Sequence, residues 1–315
     1  MDIVALGECM IEFFCNGSIS EARTFEASAA GDTLNTIVAA SRLGSRCGFI
    51  TKVGGDAFGD FLINRWKSEN IDTSHAAVRT DGFNGIYFIS LQPNGQREFI
   101  YYRKGSAAST ITPQDLDPAY IGSAKILHTS GISQAISETS LATVEEAIHI
   151  ARKRNVKVSF DPNYRPKLWS KENALKAYEA ILPQVDIAFP DETYGALINE
   201  AKPREILKYF AKFEIPIIAL KLGEKGTFVQ GLEKEAKSCG VLNVGVKDTT
   251  GAGDAFNGGF LHAVCEGLSL EDAAILGTIT AGLKVTGRGA VGSLPHRGDV
   301  YRLLKAVKSG KKRLV

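Results

Sequence analysis

One segment of this 315-residue chain, residues 248–260, combines glycines with an acidic residue in a pattern suited to phosphoryl transfer. It reads Asp-Thr-Thr-Gly-Ala-Gly-Asp-Ala-Phe-Asn-Gly-Gly-Phe, and helical periodicity begins within it. Amides at the start of a helix have no partner in the helix, and the helix dipole adds partial positive charge there. The amides of Gly251, Ala252 and Gly253 are therefore expected to hold a phosphate. Asp254 lies in the first turn, where its carboxylate can accept the proton of an attacking alcohol.

Other interpretations of this segment stay open from the glycine spacing alone. Asp254 could be a structural carboxylate that the helix dipole favours. A nicotinamide oxidoreductase would carry G-x-G-x-x-G directly after the first strand, but residues 6–10 read Leu-Gly-Glu-Cys-Met. The sequence also contains neither G-x-x-x-x-G-K-[ST] nor H-E-x-x-H, so P-loop and zinc-protease chemistry have no support.

The elements that must position these residues alternate between short apolar runs and longer segments of helical period, which predicts an α/β fold with a parallel sheet. The predicted strands are residues 3–6, 47–53, 156–160, 186–189 and 217–220. The predicted helices are residues 34–43, 58–68, 137–154, 172–182, 204–213 and 252–266.

A β-hairpin interrupts this alternation. Residues 85–92 and 97–103 are strand-like, and residues 93–96, Pro-Asn-Gly-Gln, form a turn signal between them. An antiparallel hairpin in a parallel α/β chain has one face that can cover a ligand, so it suits a lid or a dimer contact. Residues 10–27 are expected to add strands to it.

Composition limits the class of protein. The 37 basic and 35 acidic residues give a net charge of +2, too little to indicate nucleic acid as the main partner. The sequence has no apolar run long enough to cross a membrane and no apparent signal peptide. Five cysteines without a C-x-x-C pair argue against a zinc site or a disulfide framework, so we expect a cytoplasmic protein.

The segment 248–260 closely resembles the C-terminal signature of the ribokinase, or PfkB, family of carbohydrate and nucleoside kinases. Residues 30–35, Ala-Gly-Asp-Thr-Leu-Asn, together with 53–59 are similar to the N-terminal signature, which usually has two glycines where Ala30-Gly31 stands here. The resemblance implies a three-layer α/β/α domain over residues 1–315, with lid strands from about 10–27 and 84–104. It also implies ATP, Mg²⁺ and often a homo-oligomer formed through the lids.

The resemblance assigns roles to individual residues. It makes Asp254 the base, the amides of residues 251–253 the anion hole, and Gly31 and Asn35 sugar-binding positions. Residues 221–227 resemble the nucleotide-side turn, with the expected ATP-binding positions Lys221, Gly223, Gly226, Gly251 and Gly253. Residues 285–290 resemble the segment that flanks the adenine and, in some members, binds a monovalent cation.

The metal motif departs from the family pattern. Members commonly carry Asn-x-x-Glu after a strand to organise Mg²⁺, and this chain has Asp191 and Tyr194 at those two positions. Since Mg²⁺ is usually held by few carboxylates and several waters, Asp191 and Glu192 are the candidate metal residues.

Basic and aromatic residues of the hairpin indicate the substrate. Tyr101 and Arg103 share one face of a predicted strand, and their hydroxyl and guanidinium suit the carboxylate of an acid sugar. Tyr87 can join them from the partner strand, and Arg165, which follows a buried strand, is a second basic candidate that could also face the transferred phosphate. These segments are similar to 2-keto-3-deoxygluconate kinases within the family.

That similarity gives the substrate positions Gly31, Asn35, Tyr87, Tyr101, Arg103, Arg165 and Asp254, with Arg165 also a catalytic candidate. Related fructokinases share parts of the motifs, so a kinase for a neutral sugar such as fructose or ribose is the nearest alternative. A non-catalytic sugar sensor on a kinase fold is the remote one.

Overall fold

The structure is a computed structural model that describes residues 1–91, 97–200, 202–231 and 237–315. Its strands are β1 (Ile3–Leu6), β2 (Met10–Asn16), β3 (Glu26–Ala30), β4 (Cys47–Gly54), β5 (Ile71–Asp72), β6 (Ala76–Arg79), β7 (Gly85–Leu91), β8 (Arg97–Tyr102), β9 (Ile126–Ser130), β10 (Lys157–Asp161), β11 (Ile187–Ala188), β12 (Ile217–Lys221), β13 (Thr227–Gly231) and β14 (Lys237–Cys239).

The α-helices that cover these strands are α1 (Asp32–Leu43), α2 (Ala57–Ser68), α3 (Pro118–Gly122), α4 (Gly131–Ala135), α5 (Glu138–Lys153), α6 (Lys171–Ile181), α7 (Glu192–Leu197), α8 (Pro203–Ala211), α9 (Ala252–Cys265), α10 (Leu270–Lys284) and α11 (Arg297–Lys308).

The main sheet has the strand order β14-β13-β12-β11-β10-β9-β1-β4-β5, with β6 also paired to β4. The pairs from β12 to β5 are parallel, and β13 and β14 add an antiparallel edge. In the parallel part, the carboxyl ends of the strands meet at one edge, which is where ligands bind in open α/β sheets.

Both faces of this sheet are covered, as the central strand β1 shows. All four of its residues are buried; Ile3 and Ala5 pack in one apolar cluster, while Val4 and Leu6 pack in another. Helices α1, α2, α9, α10 and α11 contribute to the first cluster, and α3, α5, α6, α7 and α8 contribute to the second. A strand buried on both faces requires helices on both sides, so the expected three-layer α/β/α arrangement is confirmed.

A second, smaller sheet has the order β3-β2-β7-β8, and we call it the lid. Strand β2 pairs antiparallel with β3 and parallel with β7, and β7 pairs antiparallel with β8. The predicted turn at residues 93–96 lies outside the described residues. The lid therefore combines two stretches of chain that are separated by α1, β4, α2, β5 and β6.

Candidate active site

Asp254 lies in the first turn of α9, and a neighbouring helix orients its carboxylate. Nδ2 of Asn35, in the first turn of α1, donates a hydrogen bond to Oδ2 of Asp254 at 2.8 Å. The structure thus brings together the two helix starts that carried the two sequence signatures. One carboxylate oxygen is held by Asn35, which leaves the other, Oδ1, free to accept a proton from a bound alcohol.

The pKa of Asp254 is raised to about 7, chiefly because its burial disfavours the charged form. The nearby carboxylates of Asp32 and Asp161 add to this rise, whereas the hydrogen bond from Asn35 and the ammonium of Lys221 oppose it. A general base works best when its pKa lies near the working pH. The pKa of Asp254 is therefore suited to accepting a proton near neutral pH.

This pKa predicts an acid limb in the pH profile of the free enzyme. Below pH of about 7 Asp254 is protonated and cannot accept a proton, so kcat/KM should fall roughly tenfold for each further unit. Initial rates at saturating ATP between pH 5 and 9 measure it. Glu8 also has its pKa raised to about 7, so the limb should persist in the Glu8→Gln variant; its disappearance there would assign the limb to Glu8.

The turn that precedes α9 has the shape expected of an anion-binding site. Gly251 adopts a left-handed conformation, with φ of 75°, directly before the helix. The first intrahelical hydrogen bond is donated by the amide of Ala255 to the carbonyl of Gly251 at 2.9 Å, so earlier amides point out of the helix end. The amide of Ala252 already donates to the carbonyl of Thr249 at 3.1 Å, which leaves Gly251 and Gly253 as the stronger candidates for phosphate donors.

A buried network ties Lys221 to the same place. Nζ of Lys221, at the end of β12, lies 2.5 Å from Oδ2 of Asp161 and 3.3 Å from the amide oxygen of Asn257. The side-chain amide of Asn257 donates to the same Asp161 oxygen at 2.6 Å. A Cβ on Gly253 would lie 3.5 Å from Nζ of Lys221. Lys221 therefore puts its positive charge beside the helix start, as its predicted ATP-binding position requires.

These residues line one cleft at the carboxyl edge of the main sheet. The lining consists of Asp161, Asn163, Arg165, Asp191, Glu192, Thr193, Lys221, Gly223, Thr249, Gly251, Ala252, Gly253 and Asp254. Most of the predicted catalytic, nucleotide and metal positions are therefore brought together. Gly226 is not among the lining residues. A Cβ there would lie 2.2 Å from the carbonyl oxygen of Cys239, so a glycine at this position lets the start of β13 and the end of β14 lie close together.

The two predicted metal residues have other partners. Oδ1 of Asp191 caps α7 by accepting from the amide of Thr193 at 2.9 Å, and Glu192 forms an ion pair with Lys225 at 3.0 Å. In the part of the chain that the structure describes, no three Asp, Glu, His or Cys residues are grouped closely enough to hold a metal ion. Mg²⁺ commonly relies on one or two carboxylates plus phosphates and waters, so the oxygen donors of Asp191 and Glu192 still fit it.

The sugar-side residues lie where the lid meets the main sheet. Arg103, just after β8, forms an ion pair with Glu8, which follows β1 and is 1% exposed. The guanidinium carbon of Arg103 also lies 5.6 Å from the ring centre of Tyr101. Burial is the main cause of the raised pKa of Tyr101, and the positive charges of Arg103 and Arg165 oppose this rise. Tyr101 therefore lies beside Arg103 and within the electrostatic influence of Arg165.

Two other predicted sugar-binding residues, Tyr87 and Gly31, lie against neighbouring protein groups. The hydroxyl of Tyr87 donates to Glu12, and its buried ring stacks 5.4 Å from that of Tyr101. Gly31 immediately precedes α1, and a Cβ there would lie 2.2 Å from the backbone oxygen of Glu8. This close approach explains the need for glycine and fixes the α1 start that carries Asn35.

Several residues of the site were given no individual role by the sequence reasoning. They are Glu8, Glu12, Asp32, Asp161, Asn163 and Asn257. A signal existed for Asp161, since it directly follows the predicted strand 156–160 at the ligand edge of the sheet. For Glu8 the sequence offered none, because its partner Arg103 lies 95 positions away.

No helix within the described ranges combines the length and apolar character needed to cross a membrane.

Among known proteins, the chain is similar to carbohydrate kinases. A protein-family model described as "pfkB family carbohydrate kinase" matches residues 1–297. The chain is 33% identical to the 2-dehydro-3-deoxygluconokinase of Bacillus subtilis (strain 168), over 97% of this chain and 96% of that protein. It is 31% identical to "Probable fructokinase-4" of Arabidopsis thaliana, over 96% of each. A solved structure of an uncharacterized sugar kinase from Pyrococcus horikoshii in complex with ATP is 28% identical and covers 95% of this chain and 97% of that chain, with a TM-score of 0.81.

Proposed function

The chain belongs to the pfkB family of carbohydrate kinases, and from this premise we propose that it uses ATP to phosphorylate the terminal hydroxyl of 2-keto-3-deoxygluconate. The product would be 2-keto-3-deoxy-6-phosphogluconate. The observation that carries the choice of an acid sugar is the exposed guanidinium group of Arg165, which lines the same cleft as Asp254. A carboxylate is the natural partner of such groups, because charge-assisted hydrogen bonds are about twice as strong as neutral ones.

Arg165 is the arginine whose charge is available to the substrate. Its side chain lies in the cleft lining, is exposed, and forms no ion pair or hydrogen bond within the described residues. Arg103, in contrast, is already paired with Glu8. We therefore assign the sugar carboxylate chiefly to Arg165, with Tyr101 and Arg103 beside it.

The site geometry supports the following reaction. Asp254 takes the proton of the terminal hydroxyl as that oxygen attacks the γ-phosphorus of ATP. The new P–O bond forms as the bond between phosphorus and the β,γ-bridging oxygen breaks, and ADP leaves with that electron pair. The amides at the α9 start and the ammonium of Lys221 stabilise the charge on the transferred group. The ATP molecule bound by the Pyrococcus horikoshii relative supports the choice of nucleotide.

Magnesium would be held by the carboxylate of Asp191, which is joined to Lys221 by a parallel β-bridge, and by Glu192. When bound, it would neutralise phosphate charge. Whether residues 285–290 bind a monovalent cation stays a prediction of the sequence, as does the cytoplasmic location.

The substrate is tested by a coupled assay of ADP release. We expect higher kcat/KM with 2-keto-3-deoxygluconate than with fructose or ribose. Arg165→Ala should raise KM for the acid sugar at least about tenfold, the size of a lost charge-assisted hydrogen bond, and leave KM for fructose nearly unchanged. Arg65→Ala, which removes an exposed arginine of α2, is the matched control for net charge. A preference of the wild-type enzyme for fructose would refute the acid-sugar assignment.

A neutral-sugar kinase is the second candidate, and the ion pair between Glu8 and Arg103 is the observation that favours it. That pair leaves only one uncompensated arginine among the described residues of the sugar site. The double variant Glu8→Gln/Arg103→Ala removes the pair without leaving a buried charge alone. Under the acid-sugar proposal it should raise KM for the acid more than KM for fructose, whereas equal changes would favour the neutral sugar.

We also propose that two copies of the chain associate through the outer face of the lid. Phe13, Phe25 and Phe88 form an aromatic group there, with the rings of Phe13 and Phe88 stacked at 5.4 Å. Beside them Tyr102 is exposed. A second lid would cover this apolar face. Light scattering of the purified chain measures the mass directly, and a monomer would exclude this arrangement.

A further inference from the structure

A charged residue is buried directly behind the phosphate-binding turn and has no part in the chemistry described above. Lys284 is the last residue of α10, and its side chain is 0% exposed. Lysine is almost never fully buried unless it is paired, because an ammonium loses its hydration there. The contacts of Lys284 therefore show what it serves.

The polar contacts of Lys284 are to Asp248, the first residue of the segment that leads into α9. Nζ of Lys284 donates to the backbone oxygen of Asp248 at 3.0 Å and lies 3.8 Å from its Oδ2. The C-terminal end of α10 adds partial negative charge at the same place, which favours a cation. Burial lowers the pKa of Lys284, but Asp248, Glu12 and Asp254 each oppose that change.

Asp248 connects Lys284 to the phosphate-binding turn before α9. Its Oδ1 accepts from the amide of Thr250 at 2.9 Å and from the hydroxyl of Thr250 at 2.7 Å. Its Oδ2 accepts from the amide of Gly289 at 2.9 Å. Thr250 is followed directly by Gly251, whose left-handed conformation starts α9. The ammonium of Lys284 is thus joined to the anion hole through one fixed side chain.

Arg97 of the lid is a second cation near the carboxylate of Asp248. Nη1 of Arg97, at the start of β8, lies 3.5 Å from Oδ1 of Asp248 and 2.9 Å from the hydroxyl of Thr250. Nη2 of Arg97 donates to the hydroxyl of Thr249 at 2.8 Å. Arg97 is partly exposed, while Lys284 is not. Lys284 is therefore the cation of the two that is enclosed by protein.

We propose that Lys284 is a positioning residue for phosphoryl transfer: through Asp248 it holds the turn that aims the amides of the anion hole, and its fixed positive charge supports them from behind. With this ammonium in place, the wild-type enzyme needs no added monovalent cation at that position. The proposal requires only kinase activity and not a particular sugar, so the assay uses whichever sugar the wild-type enzyme phosphorylates.

Two variants of Lys284 test this. Lys284→Ala removes the charge and opens space beside Asp248, and Lys284→Met removes the charge but fills the space. Both should lower kcat at least about tenfold, which is a smaller decrease than removal of a phosphate donor would cause. KM for the sugar should stay nearly unchanged. Ammonium chloride should restore part of the activity of Lys284→Ala, because a small cation can occupy the vacated space. It should not do so for Lys284→Met or the wild-type enzyme.

Tetramethylammonium chloride at equal ionic strength is the control, since that ion is too large for the vacated space. Wild-type kcat in Lys284→Met, or no recovery of Lys284→Ala in ammonium, would overturn the proposal. If the single variants fail to fold because Asp248 is left uncompensated, the double variant Asp248→Asn/Lys284→Met removes both charges. It should fold and have reduced kcat, and wild-type kcat in it would equally overturn the proposal.

Discussion

Replacing Asp254 with Asn is expected to lower kcat by about 10² to 10⁴, the usual contribution of a general base, while KM for both substrates changes little. The amide keeps the shape of the side chain, and its oxygen can still accept the hydrogen bond from Asn35 that orients Asp254. The variant should therefore fold normally and bind substrates. Single-turnover measurement of phosphoryl transfer gives the loss directly.

Asp60→Asn is the matched control for this variant. Asp60 also lies in the first turn of a helix, α2, but its side chain is exposed and away from the cleft. Its replacement removes a carboxylate that interacts favourably with the helix dipole but does not act as a base. The kcat of this variant should therefore stay within about twofold of the wild-type value, in line with the small effects of surface substitutions. A similar kcat for the wild-type enzyme and Asp254→Asn would show that Asp254 is structural and that another group accepts the proton.

Replacing Gly251 with Ala is expected to have the second largest effect, a loss of about 10² in kcat, the scale of one misplaced oxyanion donor. Gly251 has φ of 75°, which costs an L-residue about 1 to 2 kcal/mol. A Cβ there would also lie 3.3 Å from the Cβ of Ala290. Relief of both strains must shift the turn, and with it the amides that face the phosphate.

The control for Gly251 separates backbone strain from the effect on the site. Gly267 has φ of 73°, lies beyond the other end of α9, and has open space where a Cβ would stand. Gly267→Ala should therefore destabilise the protein to a similar degree, as measured by denaturant unfolding, but leave kcat unchanged. Equal kcat in the two variants would mean that the α9 turn does not hold the transferred group.

The parts of the site that could be predicted are local in sequence. Asp254 and the glycines before it lie within one turn of helix, so their spacing alone indicated their joint use. Tyr101 and Arg103 share a strand face for the same reason. The pairing of Arg103 with Glu8 and the burial of Lys284 behind Asp248 depend on how distant elements pack, and the residue types carry no sign of it.

The fold was predictable to a similar extent, where a pattern is local. Strand β1 and helices such as α1 were predicted almost to the residue because their apolar periodicity is clear. Helix α10 was not predicted, because it packs between α9 and the β13–β14 edge and is apolar on more than one side, so it lacks a single stripe. Strand β9 was missed because its buried second half, His-Thr-Ser, is polar.

The pairing of β2 with β7 has a consequence for engineering the enzyme. Residues 10–16 and 85–91 are joined in parallel, so the lid is made from two pieces of chain that become neighbours only after the intervening α/β unit has assembled. It cannot be transplanted between homologues as a single cassette. Exchanging one piece alone would mismatch the parallel seam, so chimeras that alter sugar preference should swap both pieces together.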